Sequence, residues 1–167
     1  IARTFQNIRL FRSLTVFQHA LVAQGCRSAN RLAQFSPFGT GAEIDRRRRA
    51  LEALEAVGLA QRRDELAVHL PYGGQRRLEI ARALATSPEL LLLDEPAAGL
   101  NDTETDDLRT LLDTLCSRGF TILLVEHDMK LVMRLCSRIL VLNSGRLIAS
   151  GTPSEVRANQ EVIDAYL

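Results

Sequence analysis

Residues 70–96 read LPYGGQRRLEIARALATSPELLLLDEP, and this stretch restricts the possible folds more than any other. Tyr72, Gly73 and Gly74 predict a turn that opens a helix, since glycine accepts backbone conformations and close approaches denied to other residues. Past Pro88 come four consecutive leucines at 90–93, stopped by Asp94, Glu95 and Pro96. A short apolar run bounded by prolines fits a strand covered on both faces of a parallel sheet. Parallel strands need crossover helices, so the pattern selects an α/β architecture.

The rest of the chain alternates in the same way. A strand runs to about Thr4, and polar Gln6 and Asn7 follow it. Thr15 predicts an N-cap for a short helix with Val16, Phe17, Ala20 and Leu21 as its apolar stripe. Gly25, Pro37, Gly39 and Gly41 mark 25–41 as a connector. A helix over 42–57 would turn Ile44, Leu51, Leu54 and Val57 inward and stop at Gly58. Its arginines at 46–49 stand among Glu43, Asp45, Glu52 and Glu55, which favours a solvated face over a binding patch. Asn101 or Asp102 should cap a helix that buries Leu108, Leu111, Leu112 and Leu115 and ends at Gly119. Residues 121–125 predict a second buried strand, followed by a helix to about Cys136. Segments 139–142 and 147–149 predict a hairpin around Asn143, Ser144 and Gly145. Pro153 suits the first position of a closing helical region.

Composition narrows the functional classes. A formal net charge of +1 supplies no field that would attract nucleic acid. Cys26, Cys116 and Cys136 are widely spaced without a C-x-x-C, so they read as reduced core fillers with no metal site. No apolar run approaches the roughly 18 residues of a membrane helix, so a transport role would need its pore from another chain. The only lysine, Lys130, follows Met129, so the sequence contains no phosphate-binding G-x-x-x-x-G-K-[ST] loop. Ile1 in place of methionine suggests a chain that begins within a longer gene product.

The chemistry-bearing residues fall at strand ends. Asp94 and Glu95 follow the leucine run, where open α/β sheets place their ligand sites. By residue type alone they could equally be an acidic pair capping a helix. His127 ends TILLVEH and Gln6 ends RTFQ. A lone histidine or glutamine at such a place is more often structural. His19 and His69 match no pattern and read as structural.

RTFQN, LPYGGQRRLEIARAL, LLLLDEPAAGLN and ILLVEHDM together resemble the ABC (ATP-binding cassette) ATPases, in the order Q-loop, signature, Walker B and H-loop. With the C-terminal GTPSEV and VIDAYL, the wording is similar to ATP-binding subunits of high-affinity branched-chain amino acid importers. The resemblance implies a partial P-loop NTPase fold without the N-terminal Walker A portion. A helical subdomain at 7–85 would carry the signature, and 1–6 with 86–167 would form the rest of the catalytic core. It implies that Asp94 holds Mg²⁺ through water, that Glu95 is the general base, and that Gln6 touches Mg²⁺ or the attacking water. His127 would contact the γ-phosphate of ATP as both a catalytic and a nucleotide-binding residue. The signature loop, Pro71, Tyr72, Gly73 and Gly74, would reach a γ-phosphate held by a second cassette. Pro71 stands where the family has serine and Gly74 where it has glutamine, so that contact would rest on the backbone of residues 72–74. Asn101 replaces the usual D-loop aspartate, and no D-loop contact is assigned.

The resemblance further implies ATP and Mg²⁺ as cofactors, with a second ABC cassette, identical or not, and transmembrane permease subunits as partners. Nucleic acid is not among them. The place would be peripheral, on the cytoplasmic face of the inner membrane, with segment 6–40 against the permease. Two other readings stand beside this one: a truncated or degenerate cassette fragment that hydrolyses nothing, and a soluble ABC ATPase of DNA maintenance. The second would call for sustained heptads and a basic footprint, and the sequence has neither.

Overall fold

Three strands run parallel in the order β1 (Ala2–Arg3), β2 (Leu90–Asp94), β3 (Thr121–Val125) in the computed structural model, which describes residues 1–6, 8–27 and 41–166. The expected connector falls largely on 28–40, outside the described residues, as does the side chain of Cys26. Among the described residues no helix is long and apolar enough to cross a membrane.

Helix α1 (Val16–Ala23) starts at a reciprocal cap. The Thr15 hydroxyl accepts from the Gln18 N–H at 3.2 Å, and the Gln18 side chain accepts from the Thr15 N–H at 2.8 Å. Val16 and Ala20 are buried, with Phe17 and Leu21 packed beside them. Helix α2 (Gly41–Ala56) ends at Gly58, where φ is +74° and the Leu59 N–H reaches the Leu54 carbonyl at 2.8 Å.

The inward face of α2 differs from the sequence expectation. Ala50, Ala53 and Leu54 are buried, followed by Val57, while Ile44 is 64% exposed. At 3.6 residues per turn, Ile44 lies about 130° around the helix from that stripe. Two alanines share the stripe with Leu54 and Val57 where α2 packs on α1 and on α3 (Tyr72–Leu84). Arg47 pairs with Glu43 at 3.1 Å, and Arg48 with Asp45 at 3.2 Å and Glu52 at 2.9 Å. These are helical-spacing pairs on a solvated face. Arg49 instead donates to the Gln24 side chain at 3.2 Å, tying α2 to the end of α1.

Helix α4 (Asp102–Ser117) is capped by Asn101, whose side chain accepts from the Glu104 N–H at 3.0 Å while Glu104 accepts from the Asn101 N–H at 3.1 Å. Leu108, Leu111, Leu112 and Leu115 are buried in the main core with Leu91 and Leu93 of β2. Helix α5 (Met129–Leu135), the antiparallel hairpin of β4 (Ile139–Asn143) and β5 (Arg146–Gly151), α6 (Pro153–Arg157) and α7 (Gln160–Tyr166) surround a smaller core of Val132, Ile139, Val141, Val156 and Val162. The hairpin turn has Ser144 at φ +50° and Gly145 at φ +78°, the left-handed pair a two-residue loop favours.

Strand β3 is not the buried strand its composition suggests. Among the described residues it pairs only with β2, and Leu123 and Val125 are 46% and 49% exposed. Leu140 and Leu142 of β4 are likewise exposed, and both strands line a groove of about 550 Å³. Cys116 and Cys136 line the same groove as free thiols; Cys116 is exposed and fills no core, while half-buried Cys136 packs against the smaller core. Partial burial raises both thiol pKa values, which keeps them protonated.

His19 is structural, and its protonation state follows from its partners. It is buried, its Nε2 accepts from the Phe11 N–H at 3.0 Å, and its Nδ1–H donates to the Thr15 carbonyl at 2.9 Å. Both ring nitrogens are used only in the neutral form. Burial, with a smaller push from Arg82 and against the Thr15 hydrogen bond, lowers its pKa below the ordinary value. The unfolded chain therefore binds more protons between the two pKa values. His19 contributes full stability above about pH 6.5, lost as pH falls through its lowered folded value. The melting temperature is expected to drop as pH is lowered from about 7 to about 5, less steeply in His19→Gln. An identical slope in that variant would contradict this.

Candidate active site

The carboxyl ends of β1, β2 and β3 are adjacent and put three sequence-selected side chains within reach of one another. Glu95 follows β2 with φ +44°, a left-handed conformation uncommon for a residue other than glycine. Its N–H donates to the Val125 carbonyl at 2.9 Å, so the sheet itself supports this geometry. The Gln6 carboxamide donates to Glu95 Oε2 at 2.5 Å. His127 Nδ1 lies 3.5 Å from Glu95 Oε1, with the imidazole largely exposed. Asp94 is held beside them by Arg3, whose guanidinium donates to Oδ2 at 2.8 Å.

Glu126, which the sequence reading passed over, organises the same edge. Its Oε1 accepts from the Ala97 N–H at 2.8 Å and its Oε2 from the His127 N–H at 3.2 Å. One carboxylate therefore fixes the loop after Glu95 and the backbone of His127 together. An acid directly after the second apolar strand was the available signal, on the same logic that singles out Asp94 and Glu95. Arg3 carried no comparable signal.

The glycines of the signature segment lie inside a helix instead of in a turn before one. Pro71, with no N–H, is the N-cap of α3, and Tyr72, Gly73 and Gly74 form its first turn. No side chain caps that end, so the backbone N–H groups there project from the helix terminus with its positive dipole end. A Cβ on Gly73 would stand 2.9 Å from Glu104 Oε1. The Tyr72 hydroxyl donates to the Ala98 carbonyl at 3.1 Å. Among the described residues no hydrogen bond joins 71–74 to the side chains of Gln6, Asp94, Glu95 or His127; the segment packs instead on the loop at 97–101 and the start of α4.

That packing depends on Gly99. Its φ is +80°, and a Cβ there would approach Tyr72 Cε1 to 3.1 Å. Gly119, at φ +90°, has nothing within 4 Å of an added Cβ and serves as a comparison. Gly99→Ala is expected to destabilise by about 1–2 kcal/mol, lowering the melting temperature by roughly 3–6 °C. Gly119→Ala should fall short of that loss by the Tyr72 contact. Equal losses in the two variants would show that strain alone matters.

The chain matches known proteins along its length. A family model described as "ABC transporter" covers residues 1–98, and one described as "Branched-chain amino acid ATP-binding cassette transporter" covers residues 146–167. The high-affinity branched-chain amino acid transport ATP-binding protein LivG of Salmonella typhimurium is 48% identical over 171 residues, spanning 100% of this chain and 67% of that protein. Among solved structures, the ADP conformation of MJ1267, an ATP-binding cassette of an ABC transporter, superposes with a TM-score of 0.82 at 27% identity, over 99% of this chain and 67% of that one. The ATP-binding cassette MJ0796, a dimer in a post-hydrolysis state bound to ADP and Pi, has a TM-score of 0.70 at 27% identity, over 91% and 62% of the two chains.

Proposed function

This chain belongs to the ABC transporter family, and we propose that it supplies the signature and hydrolytic parts of an ATP-binding subunit that energises import of branched-chain amino acids. Its fold is that of an ABC ATPase cassette. The observation that carries the hydrolytic reading is the Glu95 carboxylate, which accepts from the Gln6 carboxamide at 2.5 Å and is faced by His127 at 3.5 Å. The transported class rests on the likeness to LivG.

In this reading Glu95 takes the proton of the attacking water, which the Gln6 carboxamide orients beside it. His127, exposed at the mouth of the same edge, contacts the γ-phosphate. Backbone N–H groups at the start of α3 meet a γ-phosphate held by a second cassette, as helix starts meet anions. The donor set fits Mg²⁺. Asp94 and the Gln6 amide oxygen are hard ligands, and no group of three or more His, Cys, Asp or Glu among the described residues forms a dedicated cage. Such a site suits an ion that keeps water and phosphate in its shell. Bound there, Mg²⁺ would neutralise charge on the phosphates.

Segment 7–85 would act as the helical subdomain, with 1–6 and 86–167 in the catalytic core. The partners would be a second cassette and membrane permease subunits, and the place peripheral at the cytoplasmic face of the inner membrane. Segment 6–40 would face the permease; Phe11 and Val22 within it are large, apolar and exposed. Crosslinks formed in an assembled transporter are expected at 6–40. Crosslinks confined to the arginines at 46–49, of which the exposed Arg47 and Arg48 are already paired with carboxylates, would refute that docking face. The function itself is tested by joining the chain to a segment bearing a G-x-x-x-x-G-K-[ST] loop and measuring ATP hydrolysis with and without Glu95→Gln.

A further inference from the structure

Arg76 lies in the second turn of α3 with its side chain 4% exposed. All four N–H bonds of its terminal nitrogens have acceptors. One nitrogen donates to the Phe5 carbonyl at 3.3 Å and to Glu79 Oε2 at 3.2 Å. The other donates to the Gln6 carbonyl at 2.8 Å and to the Tyr72 hydroxyl at 3.2 Å. The first pair joins a β1 extension to the interior of α3. The second joins the backbone of Gln6 to the first turn of α3.

Phe5 and Gln6 need such a donor. The parallel ladder ends with the Thr4 N–H on the Leu92 carbonyl at 3.0 Å, after which the backbone leaves the sheet. Carbonyls there must find partners outside the ladder, and Arg76 serves both. The Gln6 residue is otherwise exposed, so its position rests on two anchors: Arg76 on its carbonyl and Glu95 on its carboxamide. We propose that Arg76 is a positioning residue that sets the reach of Gln6 onto Glu95 and couples it to the first turn of α3. It touches none of the reacting groups. Displacement of the Tyr72 turn would carry the guanidinium with it and pull on the Gln6 carbonyl. The fork geometry is essential, because a lysine offers donors from one point and cannot span four acceptors. The inference rests on the reading of Gln6 and Glu95 as hydrolytic residues.

The test is the Gln6 side-chain amide resonance in ¹⁵N-labelled chain, identified by its loss in Gln6→Ala. It is expected to be displaced from the free-glutamine position, and to return there in Glu95→Ala. The same return is expected in Arg76→Lys and in Arg76→Met/Glu79→Leu, which removes the buried charge pair as a unit, while Leu91 and Leu112 methyl signals stay in place. Tyr72→Phe leaves that pair intact at a half-exposed site and should move the Gln6 signal partway. A wild-type Gln6 signal in Arg76→Lys and Tyr72→Phe overturns the proposal, whether or not the double variant folds. In a cassette completed with the phosphate loop, Arg76→Lys should lower kcat about 10-fold or more with KM for ATP nearly unchanged. Unaltered hydrolysis in Gln6→Ala and Glu95→Gln would instead remove the hydrolytic reading, and would leave the Gln6 resonance result standing.

Discussion

Glu95→Gln is expected to lower the ATPase kcat of the completed cassette by about 100-fold or more, the range lost when a general base is removed. The substitution is close to isosteric, and its carbonyl oxygen can still accept from the Gln6 carboxamide that donates to Oε2 in the native chain. What disappears is the capacity to take a proton from water, worth about 2.7 kcal/mol of barrier at 100-fold. KM for ATP should change little, because in the proposed mechanism Glu95 acts on the attacking water and not as a phosphate donor. Glu126→Gln is the informative comparison. Its carboxylate accepts the Ala97 and His127 backbone N–H groups, so its effect should be smaller and should track the order of the 97–101 loop. Residues 1–167 alone, which contain no G-x-x-x-x-G-K-[ST] loop, are expected to hydrolyse negligible ATP. Robust turnover by residues 1–167, abolished by Glu95→Gln, would overturn the assignment of phosphate binding to such a loop.

The parts of this molecule that could be read from the sequence are those fixed by neighbours in the chain. Thr15 with Gln18, Asn101 with Glu104, and Thr152 with Glu155 cap their helices over three residues. Asp94 and Glu95 stand out because they end an apolar strand, and His127 because it comes two residues after another. What could not be read depends on distant groups. TILLV and LLLL look alike, yet among the described residues β2 is flanked by a strand on each side and β3 on one only. Ile44 is apolar and helical but falls off the stripe of Ala50, Ala53, Leu54 and Val57. Gly73 and Gly74 suggest a turn by propensity, whereas they form the first turn of α3, where an added Cβ would meet Glu104 at Gly73 and Leu70 and Pro71 at Gly74. Arg76 reads as one arginine among several on an amphipathic helix. Its role depends on two carbonyls about seventy residues earlier in the chain.

Arg76→Met carries the largest expected loss of stability, about 3–5 kcal/mol, because it leaves the Glu79 carboxylate buried without its partner. Both side chains are under one-tenth exposed, so water cannot replace the lost contact. For a chain of this size the melting temperature should fall by roughly 6–20 °C. Burial already raises the Glu79 pKa, and Arg76 is the main influence opposing that rise. Without Arg76 the folded value moves further above the unfolded one. Between those values the folded chain binds more protons, so the variant loses stability as pH rises. Its deficit should therefore be larger at about pH 8 than at about pH 5. Arg76→Met/Glu79→Leu should recover most of the melting temperature, since an apolar pair of similar volume often equals a buried ion pair. A double variant no more stable than Arg76→Met, or a deficit independent of pH, would place the loss in the Phe5 and Gln6 carbonyls and not in the stranded carboxylate.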